Sequence, residues 1–369
     1  MKRIRYGRIA ALVAASALAL TACGNDPAPS GSGDSNGGGS EQSNLAGKLA
    51  GAGASSQEAA MQAWIAGFGS ANPDVTVSYD PAGSGAGRTQ FGEGAVDWAG
   101  SDAVMDDEER AAAEERCGSD AIHLPLYISP IAVVYNLDNV DNLQLSAATV
   151  AGIFDRKITR WDDPKIKADN PDATLPGTAV TPVNRSDESG TTENFTDYLS
   201  VVAPEAWPHE ASGEWPLKGG QSAQGTSGVV QTVSGGQGTI GYADASQAGQ
   251  LGKAKIKVGE NFVDPSAEAA AKIVDESERV SGGPEHDLAY ELKRDTTAEG
   301  TYPIVLVSYI IVCEKYSDAT QGDLVKAFVG YISSEKGQKA AAEAAGSAPI
   351  YDTLRTDVDA SIESIGAGS

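Results

Sequence analysis

The sequence predicts an α/β protein, and three observations support this fold class. Segments with helical periodicity alternate with short β-branched runs from about residue 45 onward, an alternation typical of α/β folds. The chain has 369 residues, a length that corresponds to two or three domains. Hydrophobic residues make up 41% of the chain, which is enough for a sizeable core.

Helices are predicted where apolar residues recur at helical spacing or strong helix formers cluster; in chain order they cover residues 59–68, 108–115, 147–154, 191–202, 267–274, 324–333 and 335–345. Strands are predicted where short apolar or alternating runs occur; in chain order these are residues 75–79, 96–98, 122–135, 180–183, 239–242 and 304–312. Pro125 and Pro130 interrupt the run at 122–135, so we expect two strands there. The run at 304–312 is the most β-rich of the chain.

The first 44 residues lie outside this pattern. A basic head precedes an apolar run at 9–20, which is too short for a membrane span and typical of a signal peptide. The run ends in Leu20-Thr21-Ala22-Cys23, which resembles a bacterial lipobox, although an ordinary secretory signal with a chance cysteine is the alternative. We interpret residues 1–22 as a lipoprotein signal peptide, Cys23 as the site of a lipid such as palmitate, and the glycine- and serine-rich residues 23–44 as a flexible tether.

Composition excludes several classes of function. Asp and Glu number 51 against 27 Lys and Arg, and the resulting net charge of -24 argues against a nucleic-acid partner. Only three histidines and three cysteines are present, so a clustered metal site is not expected. Cys117 and Cys313 can form a disulfide in an oxidising compartment or remain buried thiols, and their spacing does not decide between the two.

Three polar, glycine-rich turns stand out, and each leads into a predicted or candidate helix. They cover residues 51–56 with Ser55 and Ser56, residues 83–87 with Ser84, and residues 185–191. Small residues let the backbone approach a ligand closely, and a helix N-terminus offers unpaired N–H groups to an anion. The third turn adds Arg185, whose guanidinium matches an oxyanion, and Asp187, which can orient it. The alternative is that Ser55, Ser56 and Ser189 merely cap helices.

The turns belong to an ordered set of motifs across residues 47–355. The set consists of GAGAS at 51–55, GSG at 83–85, VDWAGSD at 96–102, IxxWDD at 158–163, RxDxSGT at 185–191 and GxIGY at 238–242. Together they resemble the substrate-binding protein of the high-affinity ABC phosphate importer. The resemblance implies a two-lobed periplasmic-binding-protein type II fold with hinge strands and a central ligand cleft. Lobe I is expected at 45–131 plus 305–369 and lobe II at 132–304.

The resemblance also implies residue roles. The phosphate ligands would be Ser55, Ser56, Ser84, Asp102, Arg185, Ser189, Gly190 and Thr191, with Asp187 bracing the arginine. The first loop departs from the family pattern of a threonine followed by an aromatic residue, since Ser55-Ser56 stands there. Arg88, just past the second loop, contacts either the ligand or solvent, and we expect solvent.

Asp102 is the residue that most sharply separates phosphate from sulfate. Phosphate keeps at least one proton at neutral pH, whereas sulfate keeps none. An ionised carboxylate only accepts hydrogen bonds, so it takes that proton but repels a bare oxyanion. The alternative for Asp102 is an ordinary capping or salt-bridged carboxylate.

The implied protein is a non-catalytic, exported, lipid-anchored monomer that uses no cofactor. Its implied partners are inorganic phosphate, the transmembrane subunits of an ABC permease with their ATPase, and the membrane through the lipid on Cys23. Three alternatives remain open: a secreted phosphatase acting through Ser84 or Ser189, a binding protein for another anion or a phosphorylated organic molecule, and an adhesin that has kept the fold without a ligand.

Overall fold

A computed structural model describes residues 45–368. The predicted signal peptide, the lipid on Cys23 and the tether fall on residues 1–44 and so lie outside the described residues. Among the described helices, none is long and apolar enough to cross a membrane.

The described residues form eleven α-helices and sixteen β-strands. The strands are β1 Gly47–Gly53, β2 Val75–Asp80, β3 Trp98–Ser101, β4 Ala121–Tyr135, β5 Gln144–Leu145, β6 Thr181–Arg185, β7 Gln221–Ala223, β8 Thr239–Asp244, β9 Gly252–Lys253, β10 Lys255–Val258, β11 Asn261–Val263, β12 Glu278–Arg279, β13 Tyr290–Glu291, β14 Val305–Cys313, β15 Lys315–Tyr316 and β16 Gly366–Ala367. The helices are α1 Glu58–Ala71, α2 Ser84–Gly92, α3 Asp107–Cys117, α4 Ala147–Phe154, α5 Pro164–Asp169, α6 Gly190–Val202, α7 Gly225–Ser234, α8 Ala267–Glu276, α9 Ala319–Ser333, α10 Glu335–Ala345 and α11 Asp352–Ser364.

The predicted helices are confirmed, because each lies within or coincides with an observed helix. Strand β1 was not predicted, because its Gly- and Ala-rich sequence has low β propensity. Its small residues serve packing instead: a Cβ on Gly51 would lie 2.2 Å from the Trp98 ring on the neighbouring strand. Tertiary packing therefore decides the conformation of this segment.

The prediction of two strands within 122–135 is wrong. Strand β4 runs without interruption for 15 buried residues. Pro125 lies where the register with β14 shifts between Ser308 and Tyr309, and an irregularity of this kind tolerates a residue without an N–H. Pro130 is the last residue paired with β14, and from Ile131 onward β4 pairs with β8.

The main sheet has the strand order β2-β1-β3-β14-β4-β8-β6-β7, with β9 also pairing with β4. Two large hydrophobic cores lie along it. The first contains Trp64 and Trp98, and the second contains Phe154 and Trp161. The antiparallel strands β4 and β14 contribute residues to both cores, so they form the connection between two lobes.

The residues of the first core do not all fall within the predicted limits of lobe I. Helix α8 places Ala270 and Ile273 in the first core, although it lies within residues 132–304. The stated limits therefore stay a prediction. Cys117, at the end of α3, and Cys313, at the end of β14, are joined by a disulfide at the first core.

Candidate ligand-binding cleft

The three glycine-rich turns converge on one buried site between the lobes. From the first lobe come the residues after β1, the N-terminus of α2 and the residue after β3; from the second come the end of β6 and the N-terminus of α6. Each predicted ligand side chain here is at most 4% exposed: Ser55, Ser56, Ser84, Asp102, Arg185, Ser189 and Thr191. The carboxyl ends of parallel strands such as β1 and β3 meet at one edge of a sheet, which brings these turns together.

Asp102 lies at the centre of the site and accepts hydrogen bonds from both lobes. Ser56 Oγ donates to both carboxylate oxygens, at 2.7 and 2.8 Å, and Ser308 Oγ donates to Oδ1 at 2.6 Å. Thr191 Oγ1, from the second lobe, donates to Oδ2 at 3.0 Å. Burial raises the pKa of Asp102, and the three hydroxyl donors and the Arg185 charge oppose that rise.

Ser84 and Gly190 bring α2 and α6 close to Asp102. Ser84 Oγ accepts a hydrogen bond from the Asp102 backbone N–H at 3.1 Å. A Cβ on Gly190 would lie 2.7 Å from both Asp102 Cβ and Ser84 Oγ. Only glycine therefore allows the N-terminus of α6 to approach the first lobe this closely.

Arg185 and Asp187 form a bidentate salt bridge. Arg185 Nε donates to Asp187 Oδ1 at 2.9 Å and Nη2 donates to Oδ2 at 2.5 Å. The Gly225 N–H also donates to Asp187 Oδ1, at 3.0 Å. Burial works to raise the pKa of Asp187, but the hydrogen bonds and charge of Arg185 outweigh it and hold that pKa below its usual value. The guanidinium is thus held in one orientation, and its role toward a ligand stays a prediction.

Ser55 and Ser189 are engaged with the protein itself. Ser55 Oγ lies 3.0 Å from Thr226 Oγ1 and accepts from the Thr226 N–H at 3.0 Å, so it joins the first lobe to the start of α7. Ser189 caps α6 by accepting from the Thr192 N–H at 3.2 Å. The alternative raised from the sequence, that Ser189 caps a helix, is therefore correct for its hydroxyl group.

Comparison with known proteins identifies the family of this chain. Residues 38–336 match the model of the PBP superfamily domain. Phosphate-binding protein PstS 3 of Mycobacterium tuberculosis is 37% identical over 99% of this chain and 100% of its own length. PstS 2 of the same organism is 36% identical over the same shares.

The chain belongs to the phosphate-binding protein family. Solved structures agree with this assignment at the level of fold. A high affinity periplasmic phosphate-binding protein (PfluDING) superposes with a TM-score of 0.69 at 20% identity, over 85% of this chain and 93% of its own. The phosphate binding protein of Stenotrophomonas maltophilia superposes with a TM-score of 0.64 at 19% identity, over 85% and 94%. The predicted two-lobed periplasmic-binding-protein fold is confirmed.

Two hydroxyl side chains of the cleft, those of Ser308 and Thr226, were not predicted from the sequence. Ser308 is a polar residue inside the most β-rich run of the chain, and that anomaly was a usable signal. It donates to Asp102 and accepts from Gln57 Nε2 at 2.5 Å. Thr226 follows Gly225 at the start of α7, and a Gly-Thr pair opening a helix also occurs at Gly190-Thr191.

The expectation that Arg88 faces solvent is wrong. Its side chain is 5% exposed and forms ion pairs with Glu109, at 2.7 Å, and Glu188, at 3.2 Å. Arg88 Nη1 also donates to Ser101 Oγ at 3.0 Å. The residue is covered because α2 packs against α3, which carries Glu109. Among residues 45–368, no cluster of side chains suited to holding a metal ion is found.

Proposed function

We propose that this protein binds inorganic phosphate outside the cytoplasmic membrane and delivers it to an ABC permease for import. One observation carries the proposal: a single buried carboxylate, Asp102, lies among hydroxyl donors and one guanidinium where the two lobes meet. Relatives named phosphate-binding proteins and a structure solved with bound phosphate support the choice of ligand.

The chemistry of the cleft favours phosphate over sulfate. Arg185, the serine and threonine hydroxyls and the first-turn N–H groups of α6 would donate to phosphate oxygens. The Ser56 and Thr191 hydroxyls, which each donate their one proton to Asp102 in this structure, would turn toward the ligand to do so. Asp102 would accept the proton that HPO4 or H2PO4 retains at neutral pH. The protein's acidic surface does not prevent binding, because repulsion from distant charges is screened over about 8 Å at physiological salt whereas contacts in the cleft are screened much less.

Binding and closure would be coupled. Ser56, Ser84 and Asp102 belong to the first lobe, and Arg185 and Thr191 belong to the second. A phosphate that bridges both sets stabilises the closed arrangement over the open one. The closed protein would then dock on the permease as a monomer, held at the membrane by a lipid on Cys23.

The role is that of a solute-binding subunit, in keeping with the family, rather than a hydrolase. A phosphatase acting through Ser84 or Ser189 would need an activating base. The three histidines have other partners: His123 bonds to Asp287, while His209 and His286 pair with acidic residues elsewhere. The Ser84 and Ser189 hydroxyls accept from backbone N–H groups.

Calorimetric titration of the phosphate-stripped protein tests the proposal. We expect phosphate to bind with micromolar or tighter affinity, about -8 kcal/mol or stronger, and sulfate not to bind measurably. Tight sulfate binding, or no binding of either anion, would contradict the assignment, and turnover of a phosphate monoester would favour the hydrolase. Replacing Cys23 with serine is expected to release the protein from the membrane without changing phosphate affinity.

A further inference from the structure

A second contact between the lobes lies outside the proposed phosphate ligands. Arg88 of α2 is paired within its own lobe to Glu109, and its Nη2 reaches Glu188 Oε1 of the opposite lobe at 3.2 Å. Glu188 belongs to the turn at 185–191, whose other members include Arg185 and Asp187. The guanidinium thus bridges the turn that carries the cleft's arginine and the helix that begins with Ser84.

The approach of Glu188 to α2 is close. A Cβ on Gly85 would lie 2.3 Å from Glu188 Cδ, and a Cβ on Gly83 would lie 2.9 Å from the Glu188 carbonyl oxygen. Glycine at these two positions allows Glu188 to lie directly on the first turn of α2. The contact between Glu188 and α2 therefore depends on the lack of side chains at Gly83 and Gly85 as well as on the charge of Arg88.

Arg88 also influences a second acidic residue of the opposite lobe. Burial raises the pKa of Glu193, on the first turn of α6, to about 7, and the Arg88 charge opposes that rise while Glu109, Glu188 and Asp197 add to it. Two carboxyl groups of the second lobe thus lie within the field of one buried guanidinium. Its partner Glu109 is present whether the lobes are open or closed, whereas Glu188 is reached only when they meet.

We propose that Glu188 is a positioning residue that tightens phosphate binding by latching the lobes through Arg88, without touching phosphate. The proposal rests on the proposed function. A contact made only in the closed arrangement shifts the lobe equilibrium toward it, and the apparent affinity of any ligand that binds there rises accordingly. Direct electrostatic repulsion would have the opposite effect on phosphate affinity, because a carboxylate near an anion site repels the anion and so weakens binding.

Glu214 provides a matched control. It is exposed and lines the same cavity of about 340 Å³ as Glu188 and Arg185, but forms no ion pair with any residue of the described part. Glu188→Gln and Glu214→Gln remove the same charge from the same cavity. Because the Glu188 side chain is 47% exposed, its replacement should leave the fold intact, and Glu188→Ala serves as a second variant without a hydrogen-bonding group.

The test measures phosphate affinity and dissociation rate of the three variants and the unaltered protein. We expect Glu188→Gln to weaken phosphate binding about three- to fivefold, mainly through faster dissociation, with Glu188→Ala at least as weak. Glu214→Gln should bind unchanged or slightly tighter. Equal affinities for all forms, or tighter binding by Glu188→Gln, would contradict the proposal that the Arg88–Glu188 ion pair tightens phosphate binding.

A readout without phosphate separates this proposal from the proposed function. The Thr226 N–H donates to Ser55 Oγ of the opposite lobe, so its hydrogen exchange reports opening of the cleft. In phosphate-free protein we expect this exchange to be about three- to fivefold faster in Glu188→Gln than in Glu214→Gln. If the unaltered protein fails to bind phosphate, the proposed function is wrong, and the exchange comparison alone then tests whether the Arg88–Glu188 ion pair holds the lobes together. Equal exchange rates in the two variants would contradict that role of the ion pair.

Discussion

Replacing Asp102 with asparagine is expected to reduce the preference for phosphate over sulfate. The side chain is 3% exposed, and its hydroxyl partners lie 2.6 to 3.0 Å from the carboxylate oxygens. Asparagine keeps the shape but removes the charge and turns one oxygen into a donor. A bare oxyanion then gains a hydrogen bond where it previously met a like charge.

The magnitude follows from the one hydrogen bond that phosphate can donate and sulfate cannot. HPO4 and sulfate carry the same charge, so their repulsion by the carboxylate cancels from the ratio, and the difference is one hydrogen bond to a charged group, about 1.5–3 kcal/mol. Each 1.4 kcal/mol is a factor of ten in affinity, so Asp102→Asn should lower the phosphate-to-sulfate ratio by about one to two orders of magnitude. Phosphate affinity itself should change less than the ratio, because the variant loses an acceptor for the proton and also loses the repulsion.

Competition titrations with phosphate and sulfate measure this ratio. Asp155→Asn is the control, because Asp155 is also largely buried but pairs with Lys157 and His209 instead of site residues. The control should keep the ratio of the unaltered protein. If Asp102→Asn also kept that ratio while both affinities moved together, the carboxylate would not be the discriminating group.

Three further predictions concern stability. Ser308→Ala removes a 2.6 Å hydrogen bond to the Asp102 carboxylate and should cost about 1.5–3 kcal/mol in urea unfolding, with a further rise in the pKa of Asp102; an unchanged midpoint would contradict this. Reducing the Cys117–Cys313 disulfide, which closes a loop of 196 residues, should lower the unfolding free energy by about 3–5 kcal/mol, seen as a reductant-dependent midpoint. Burial raises the pKa of Asp244 to about 6, so its stabilising contribution is complete below pH 4 and is lost as pH rises through 6; Asp244→Asn should remove about 2–3 kcal/mol of that pH dependence, and parallel pH profiles would refute it.

Local sequence signals accounted for much of the secondary structure. The helix at 147–154 was predicted to the residue, since its apolar spacing and Ser146 cap are local features. Strand β1 and helix α7 were missed, because Gly- and Ala-rich or Gly- and Thr-rich segments carry weak propensity and depend on neighbours. The unbroken strand β4 was missed for the same reason: its prolines are tolerated only because of how β14 and β8 pair with it.

The sequence by itself determined the α/β class, the acidic charge, the turns that bear Ser84 and Arg185, and the motif that ends in Asp102, because each depends on composition or on residues close together in the chain. Only the tertiary structure decided that Ser308 and Thr226 complete the cleft, that Arg88 is buried, and that Cys117 and Cys313 are joined. Ser308 and Asp102 are 206 positions apart, and Ser55 and Thr226 are 171 apart. Contacts over such separations depend on strand register and lobe packing, which no local pattern encodes.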